Sequence, residues 1–332
     1  MKHFKYFIAF AIAVVMTACS SKDDYSSSEE TTKYPIRITA DINGVDTRST
    51  GNPSTVHNTQ FFDGDQINVL INRVHAADIF GKPNEDDGYV IFTNSSTQGW
   101  TSEYDLYAVG TNDDLCAFGV YPAKDGEGNK ITESTTSFEV QDSQNTDDNY
   151  NKSDLMYAYT TDADPKSPIP LTFNHCMSKI TIKIADCSEI CTQEEFLSGN
   201  KQNFAYVENI TRQATLSTET GYNSQKLIAT GTGTQDDDIL VCTKNEDDAL
   251  FTTGVSCIIP PQKVNEGTSI ITITYDTDYF MYYTAPADGI DFKAGYEYVF
   301  NLTLRRHDIT LSNVQIKPWE GGTGSPFDGD AE

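Results

Sequence analysis

Apolar and polar residues alternate along this chain from Tyr34 onward. In YPIRITADI (34–42), Ile36, Ile38, Ala40 and Ile42 fall on one face, the period-two pattern of a half-buried strand. Short apolar runs then recur, each closed by a turn-prone stretch. DQINVLINR (65–73), GYVIFTN (88–94), YDLYAVG (104–110), LCAFGVYP (115–122), SFEV (137–140) and LMYAYT (155–160) all predict strands. Connections such as PNEDDG, AKDGEGNK and DSQNTDDNYNKSD carry the Gly, Asn, Asp and Pro that turns require. The proline-rich DADPKSPIP (162–170) reads as a domain junction or a corner. MSKITIKIAD (177–186) then places Ile180, Ile182 and Ile184 on one face. QATLST, KLIATG, VSCIIP, SIITITYD, YFMYYTA, YEYVFNLTLRR and DITLSNVQIKPW continue the series. Helical periodicity is confined to TQEEFLSGN (192–200), enough for one or two turns.

Many short strands with little helix predict an all-β protein built from β-sandwiches, and 332 residues accommodate two of them. The expected division is an N-terminal sandwich over 34–172 and a C-terminal one over 173–332.

The first residues are of another kind. Lys2 and Lys5 precede an apolar run, Tyr6 to Met16, that is too short to span a bilayer, so 1–18 reads as a signal peptide. MTAC resembles a bacterial lipobox, which would make Cys19 the lipidated first residue of the mature chain. The following SSKDD (20–24) resembles the surface-export signal of lipoproteins in Gram-negative gut and oral anaerobes. Residues 19–33 hold almost nothing to bury and predict a disordered tether.

With 23 basic and 49 acidic residues the net charge is −26, which repels a phosphate backbone, so nucleic acid is excluded as a partner. Catalytic constellations are missing from the sequence: the histidines form no metal-ligand pair, and no nucleophile elbow, Walker loop or dinucleotide glycine motif occurs. DDNYNKSD (147–154) begins like a calcium loop, but Lys152 stands where the turn glycine is needed and Ala158 where the bidentate Glu belongs. It reads as a solvated loop. Beyond Cys19 there are cysteines at 116, 176, 187, 191, 242 and 257, open to disulfides or to buried thiols. The expectation is a non-enzyme with no cofactor and no metal.

Several separated stretches converge: TRST, FFDGDQINVLI (61–71), CAFGVYPA (116–123), SDLMYAYT (153–160), PLTFNHCMSKITIKI (170–184), CIIPPQ (257–262), and FKAGYEYVFNLTL (292–304) running into ITLSNVQIKPW (309–319). In that order they resemble the fimbrillin family, the lipoprotein pilins of type V pili. The resemblance implies two transthyretin-like sandwiches, export to the outer-membrane surface, and assembly into a fimbrium that supports adhesion. It implies a trypsin-like or gingipain-like cut after an arginine beyond the first strand. The groove so opened would take a donor strand from another subunit. Carried onto this sequence, the cut follows Arg48 and the strand lost is YPIRITADI. Arg37 sits inside that strand and is less suited; without processing, Arg48 is a loop arginine.

The donor would come from the C-terminus, where Ile309, Leu311, Val314, Ile316 and Trp319 alternate with one offset fit for a bulge. Partners would be other pilus subunits, the outer membrane through the lipid, and a host or bacterial surface ligand. A second reading is a monomeric surface lipoprotein binding glycan or host protein through Trp100 or DYFMYY (278–283), although core packing is the plainer role for those aromatics.

Overall fold

A computed structural model describes residues 32–43, 60–73, 79, 81, 88–109, 114–197, 204–221, 224–243, 248–276, 279–306 and 308–319. The first half of the chain contributes β1 (Lys33–Pro35), β2 (Ile38–Ile42), β3 (Gln66–Arg73), β4 (Tyr89–Ser95), β5 (Gly99–Ser102), β6 (Tyr107–Val109), β7 (Leu115–Tyr121), β8 (Ser137–Glu139), helix α1 (Asp147–Ser153), β9 (Met156–Ala163) and β10 (Ile169–His175). The second half contributes β11 (Ser178–Asp186), helix α2 (Gln193–Leu197), β12 (Phe204–Ile210), β13 (Gln213–Gly221), β14 (Ser224–Gly231), β15 (Asp237–Thr243), β16 (Val255–Ile259), β17 (Gln262–Val264), β18 (Ser269–Tyr275), β19 (Tyr279–Thr284), β20 (Ile290–Phe292), β21 (Tyr296–Leu304) and β22 (Ile309–Pro318). The protein is all-β, as its alternation predicts.

Seven strands form the main sheet of the first half, in the order β2-β10-β9-β7-β3-β4-β5. Its central strands are covered on both faces. Ile67, Val69, Ile71, Val90 and Phe92 join Ile38 and Ile42 in one hydrophobic cluster. Tyr89, Phe118 and Val120 belong to the other cluster, together with Ile131, Phe138 and most of the second half's core.

Two four-stranded sheets dominate the second half, β16-β11-β21-β22 and β15-β12-β18-β19. Ile180 and Ile182 of one sheet share a cluster with Ala205, Val207, Ile271 and Ile273 of the other. β15 runs beside β16 and β19 beside β22, so the two sheets stack as a sandwich with aligned edges. β8, from the first half, adds itself to the β13–β14 hairpin, pairing Phe138 with Ala214.

The lateral edges of this sandwich are treated differently. At the β15/β16 edge, residues 142–144 close the gap: Leu240 N donates to Asp142 O at 2.9 Å and Gln144 N to Leu240 O at 2.9 Å. The Gln144 amide does the same for β16, donating to Ile258 O at 2.8 Å and accepting from Ile258 N at 2.7 Å. At the β19/β22 edge both strands end their sheets with one paired neighbour each.

Two local expectations change. DSQNTDDNYNKSD contains helix α1 rather than an irregular loop. Thr146 caps it by accepting from Asn149 N, Asp147 and Asp148 occupy the positive first turn, and Tyr150 and Ser153 are buried. Asp, Asn and Thr favour helix starts as well as turns, and burial of the Tyr150 ring selects the helix. YPIRITADI is broken at Ile36–Arg37 into β1 and β2, which pair with different strands. Of the two readings of DADPKSPIP, the corner holds: it links β9 to its sheet neighbour β10. The helix in TQEEFLSGN is α2, started by a capping box in which Glu195 N donates to Thr192 Oγ1 at 3.1 Å and Thr192 N to Glu195 Oε2 at 2.8 Å.

Gln144 satisfies two backbone groups that would otherwise be buried without partners. Gln144→Ala is therefore expected to cost about 1–3 kcal/mol, read from the shift of a urea-denaturation midpoint at constant slope.

Candidate functional site: the two terminal edge strands

β2 is the outermost strand of the seven-stranded sheet and runs parallel to β10, with Ile38 opposite Ile169 and Ile42 opposite Phe173. Ile38 and Ile42 are 5% and 2% exposed, and their burial stabilises the docked strand by about 2 kcal/mol each. Both ends are tied, Ile169 N donating to Arg37 O and Asn43 N to Phe173 O, each at 2.8 Å. Upstream, β1 pairs with β6, and the Lys33 ammonium lies 4.5 Å from the Tyr107 ring centroid. Arg37 stands in the break between β1 and β2 rather than inside a strand, exposed, with its guanidinium donating to Lys166 O at 3.4 Å. Cys19 and Arg48 lie outside the described residues.

β22 ends the sheet β16-β11-β21-β22, pairing antiparallel with β21 from Ile309–Leu304 to Pro318–Tyr296. Leu311 faces Leu302 while Asn313 faces Asn301, so Ser312 is the extra residue of a bulge. The candidate donor residues are held unequally. Ile309 is buried, Leu311 and Val314 are half-buried, and Ile316 is 41% exposed.

Trp319 follows the strand and is buried. Its ring stacks on His175 with centroids 3.9 Å apart and planes 7° from parallel. His175 Nδ1 lies 2.8 Å from Asp154 Oδ1, and both of those side chains are fully enclosed. Trp319 N donates to Gly295 O at 2.8 Å, and the Lys179 ammonium sits 6.0 Å from the indole centroid. The end of the C-terminal strand is thus pinned against the end of β10.

A charge ladder crosses the same sheet: Lys179, Glu297 and Lys317 are register partners on β11, β21 and β22. Glu297 lies 3.5 Å from Lys179 Nζ and 2.9 Å from Lys317 Nζ, and the Thr181 hydroxyl donates to it at 2.6 Å. Burial pushes the Glu297 carboxyl up, but Lys179, Thr181 and Lys317 together outweigh burial and hold it below its ordinary range.

Other residues raised by the sequence fall as follows. Cys176, Cys187, Cys191 and Cys257 are free thiols. Burial raises the Cys187 thiol to about 12 and that of Cys257 further still. No group of three His, Cys, Asp or Glu among the described residues is placed to hold a metal. Among these residues no helix is long and apolar enough to cross a membrane. Trp100 packs edge-on against Phe61 at 5.2 Å, and Met281 and Tyr283 are buried, so core packing holds for them. It fails for Tyr279, Phe280 and Tyr282, which are 53%, 51% and 46% exposed. Sequence reading placed His175 and Cys176 on opposite faces but found no role for the histidine. A long-range ring stack leaves no local signal.

Residues 47–319 match the family model described as fimbrillin-like. The chain belongs to the fimbrillin-like family. Its fold is similar to that of a candidate cell adhesion protein from Bacteroides ovatus, 17% identical, covering 86% of this chain and 98% of the other with a TM-score of 0.57. A second, from Bacteroides uniformis, is 18% identical, covers 86% of this chain and 98% of its own, and has a TM-score of 0.54. A search among curated proteins finds no match.

Two outcomes follow for the C-terminal strand. Trp319→Ala should speed amide hydrogen exchange across Val314–Lys317 while leaving β7 unaffected, because Trp319 pins that end. The depressed Glu297 contributes stability that is present above its unfolded value, about 4.3, and is lost as pH falls through its lower folded value. The melting-temperature gap between the natural chain and Glu297→Gln should accordingly narrow between pH 6 and pH 3.

Proposed function

We propose that this fimbrillin-like chain is a surface pilus subunit, anchored through a lipid on Cys19 and released for polymerisation by cleavage after Arg48. The observation that carries this reading is the placement of β2. It is an edge strand with one sheet neighbour, it lies just N-terminal to Arg48, and its apolar face fills a groove in the core. Removing it would uncover Ile169, Leu171 and Phe173 on β10, which are almost fully buried, and would unpair one edge of that strand. An incoming strand with matching alternation restores the backbone bonds and the burial together.

The proposed donor is the β22 segment, Ile309 to Trp319, whose open edge and partly uncovered apolar face suit a strand that changes partners. Membership of a family of fimbrial proteins supports a location on the cell surface and assembly with other subunits. Lipidation of Cys19, outer-membrane anchoring and adhesion belong to the same proposal. The division into two sandwiches belongs to it too, but β10 runs on to His175, so the change of sheet between β10 and β11 favours a boundary a few residues after 172/173.

The deciding experiment is mass spectrometry of the N-terminus of protein taken from the cell surface. A chain starting at Ser49 is expected, together with heat-resistant ladders. Arg48→Ala should leave the chain starting at lipidated Cys19 and abolish the ladders. An intact wild-type chain that still polymerises would rule out cleavage as the trigger. An intact monomer would favour the second reading, a lipoprotein that binds a surface ligand through its exposed aromatics.

A further inference from the structure

The outer face of the sheet β15-β12-β18-β19 carries aromatic side chains that the strand-exchange reading leaves unused. Alternation along β19 sends Met281 and Tyr283 inward and Phe280 and Tyr282 outward. Across the sheet, Phe280 is registered with Thr274 and then Phe204, and Tyr282 with Thr272 and then Tyr206. Two aromatic pairs therefore face outward from strands two places apart. Ring origins are about 7 Å apart along each strand and about 9.5 Å apart across the sheet.

Thr272 and Thr274 form the floor between them and are 4% exposed. Their hydroxyls are turned away from solvent: Thr272 donates to the Glu208 carboxylate, and Thr274 Oγ1 accepts from Phe204 N at 2.8 Å. Phe280 and Tyr282 are exposed and Phe204 and Tyr206 half-buried, with the half-buried Glu208 next along β12 on the same face.

Charge restricts the occupant. None of the four strands contains a lysine, arginine or histidine, whereas Glu208, Asp237 and Asp238 all lie on them. Among the described residues, Arg212 is paired with Asp237 on the far edge strand β15. An anionic polysaccharide, a phospholipid headgroup or a second copy of a chain with net charge −26 would meet like charge here. A neutral sugar chain meets none. The C–H face of a pyranose ring lies flat on an aromatic ring through dispersion, and its equatorial hydroxyls reach the phenols and carboxylate at the rim. Exposed Phe280 and Tyr282 beside half-buried Phe204 and Tyr206 on one sheet face, where most other large apolar side chains of the described residues are buried, mark an interaction site rather than scattered surface.

We propose that Phe204, Tyr206, Phe280 and Tyr282 form a binding platform for a neutral oligosaccharide. The inference is independent of cleavage at Arg48 and of polymerisation.

The test is calorimetric titration of the whole mature chain with cellohexaose and mannohexaose as neutral probes and a heparin hexasaccharide as the anionic one. Saturable binding of at least one neutral probe is expected, with heparin not bound. The double variant Phe280→Ala/Tyr282→Ala should weaken it roughly tenfold or more, with melting temperature and polymer yield unchanged. Phe280→Trp should keep it. No saturable binding of either neutral probe up to its solubility, or binding indifferent to the double variant, overturns the proposal. Preference for heparin also overturns it. So does a concentration-dependent dimer that the double variant abolishes, which would give the face to a second copy. Sugar binding by a chain that is never cleaved would sink the pilus reading and leave this one standing.

Discussion

A β-strand carries hydrogen-bonding groups along both of its sides, and a strand with one neighbour leaves one side unpaired. That constraint governs this protein. Its central strands are saturated on both sides and covered on both faces, so they cannot be removed without losing the fold. β2 and β22 have one sheet neighbour each. They are held by a single row of bonds plus whatever apolar surface they bury. For β2 that surface is Ile38 and Ile42 in the first cluster, while for β22 it fades from Ile309 to the exposed Ile316. β2 and β22, near the two ends of the described chain, are thus held less completely than the central strands.

The protein does not treat every edge alike. Residues 142–144 close the β15/β16 edge with backbone bonds and with the Gln144 amide, so that side of the second sandwich is finished. On the opposite side, among the described residues, no further strand pairs with the outer sides of β19 and β22. Its C-terminal strand is fastened at one end by Trp319 on His175 and by the Lys179–Glu297–Lys317 ladder. These side-chain contacts add to the backbone bond from Trp319 N to Gly295 O. The exposed rings of β19 lie along the same margin. An assembled polymer and an adhesive surface would therefore draw on neighbouring parts of one sandwich edge.

Much of this was legible in the residues. Period-two alternation located the strands because solvent and core impose opposite preferences on successive side chains. The arrangement of Ile309, Leu311, Val314 and Ile316 even showed the bulge that Ser312 makes. Where local reading failed, the same residues had two uses. Asp147, Asp148 and Thr146 look like turn formers, yet they also start a helix once the Tyr150 ring has somewhere to be buried. Aromatics in YFMYYT look like core, yet the strand is at a margin and alternation sends Phe280 and Tyr282 to the outside.

The sequence by itself determined the class of the fold, the places of most strands, the acidic exterior and the family to which the chain belongs. Only the tertiary structure decided that β2 runs parallel to β10 at a sheet edge, that Trp319 closes on His175, and that four aromatics share an outer face. The physical reason is one of range. Alternation is set by each strand's own surroundings and is written within a few residues. Pairing joins segments more than a hundred residues apart, as Ile38 with Ile169, and nothing in either segment alone specifies its neighbour.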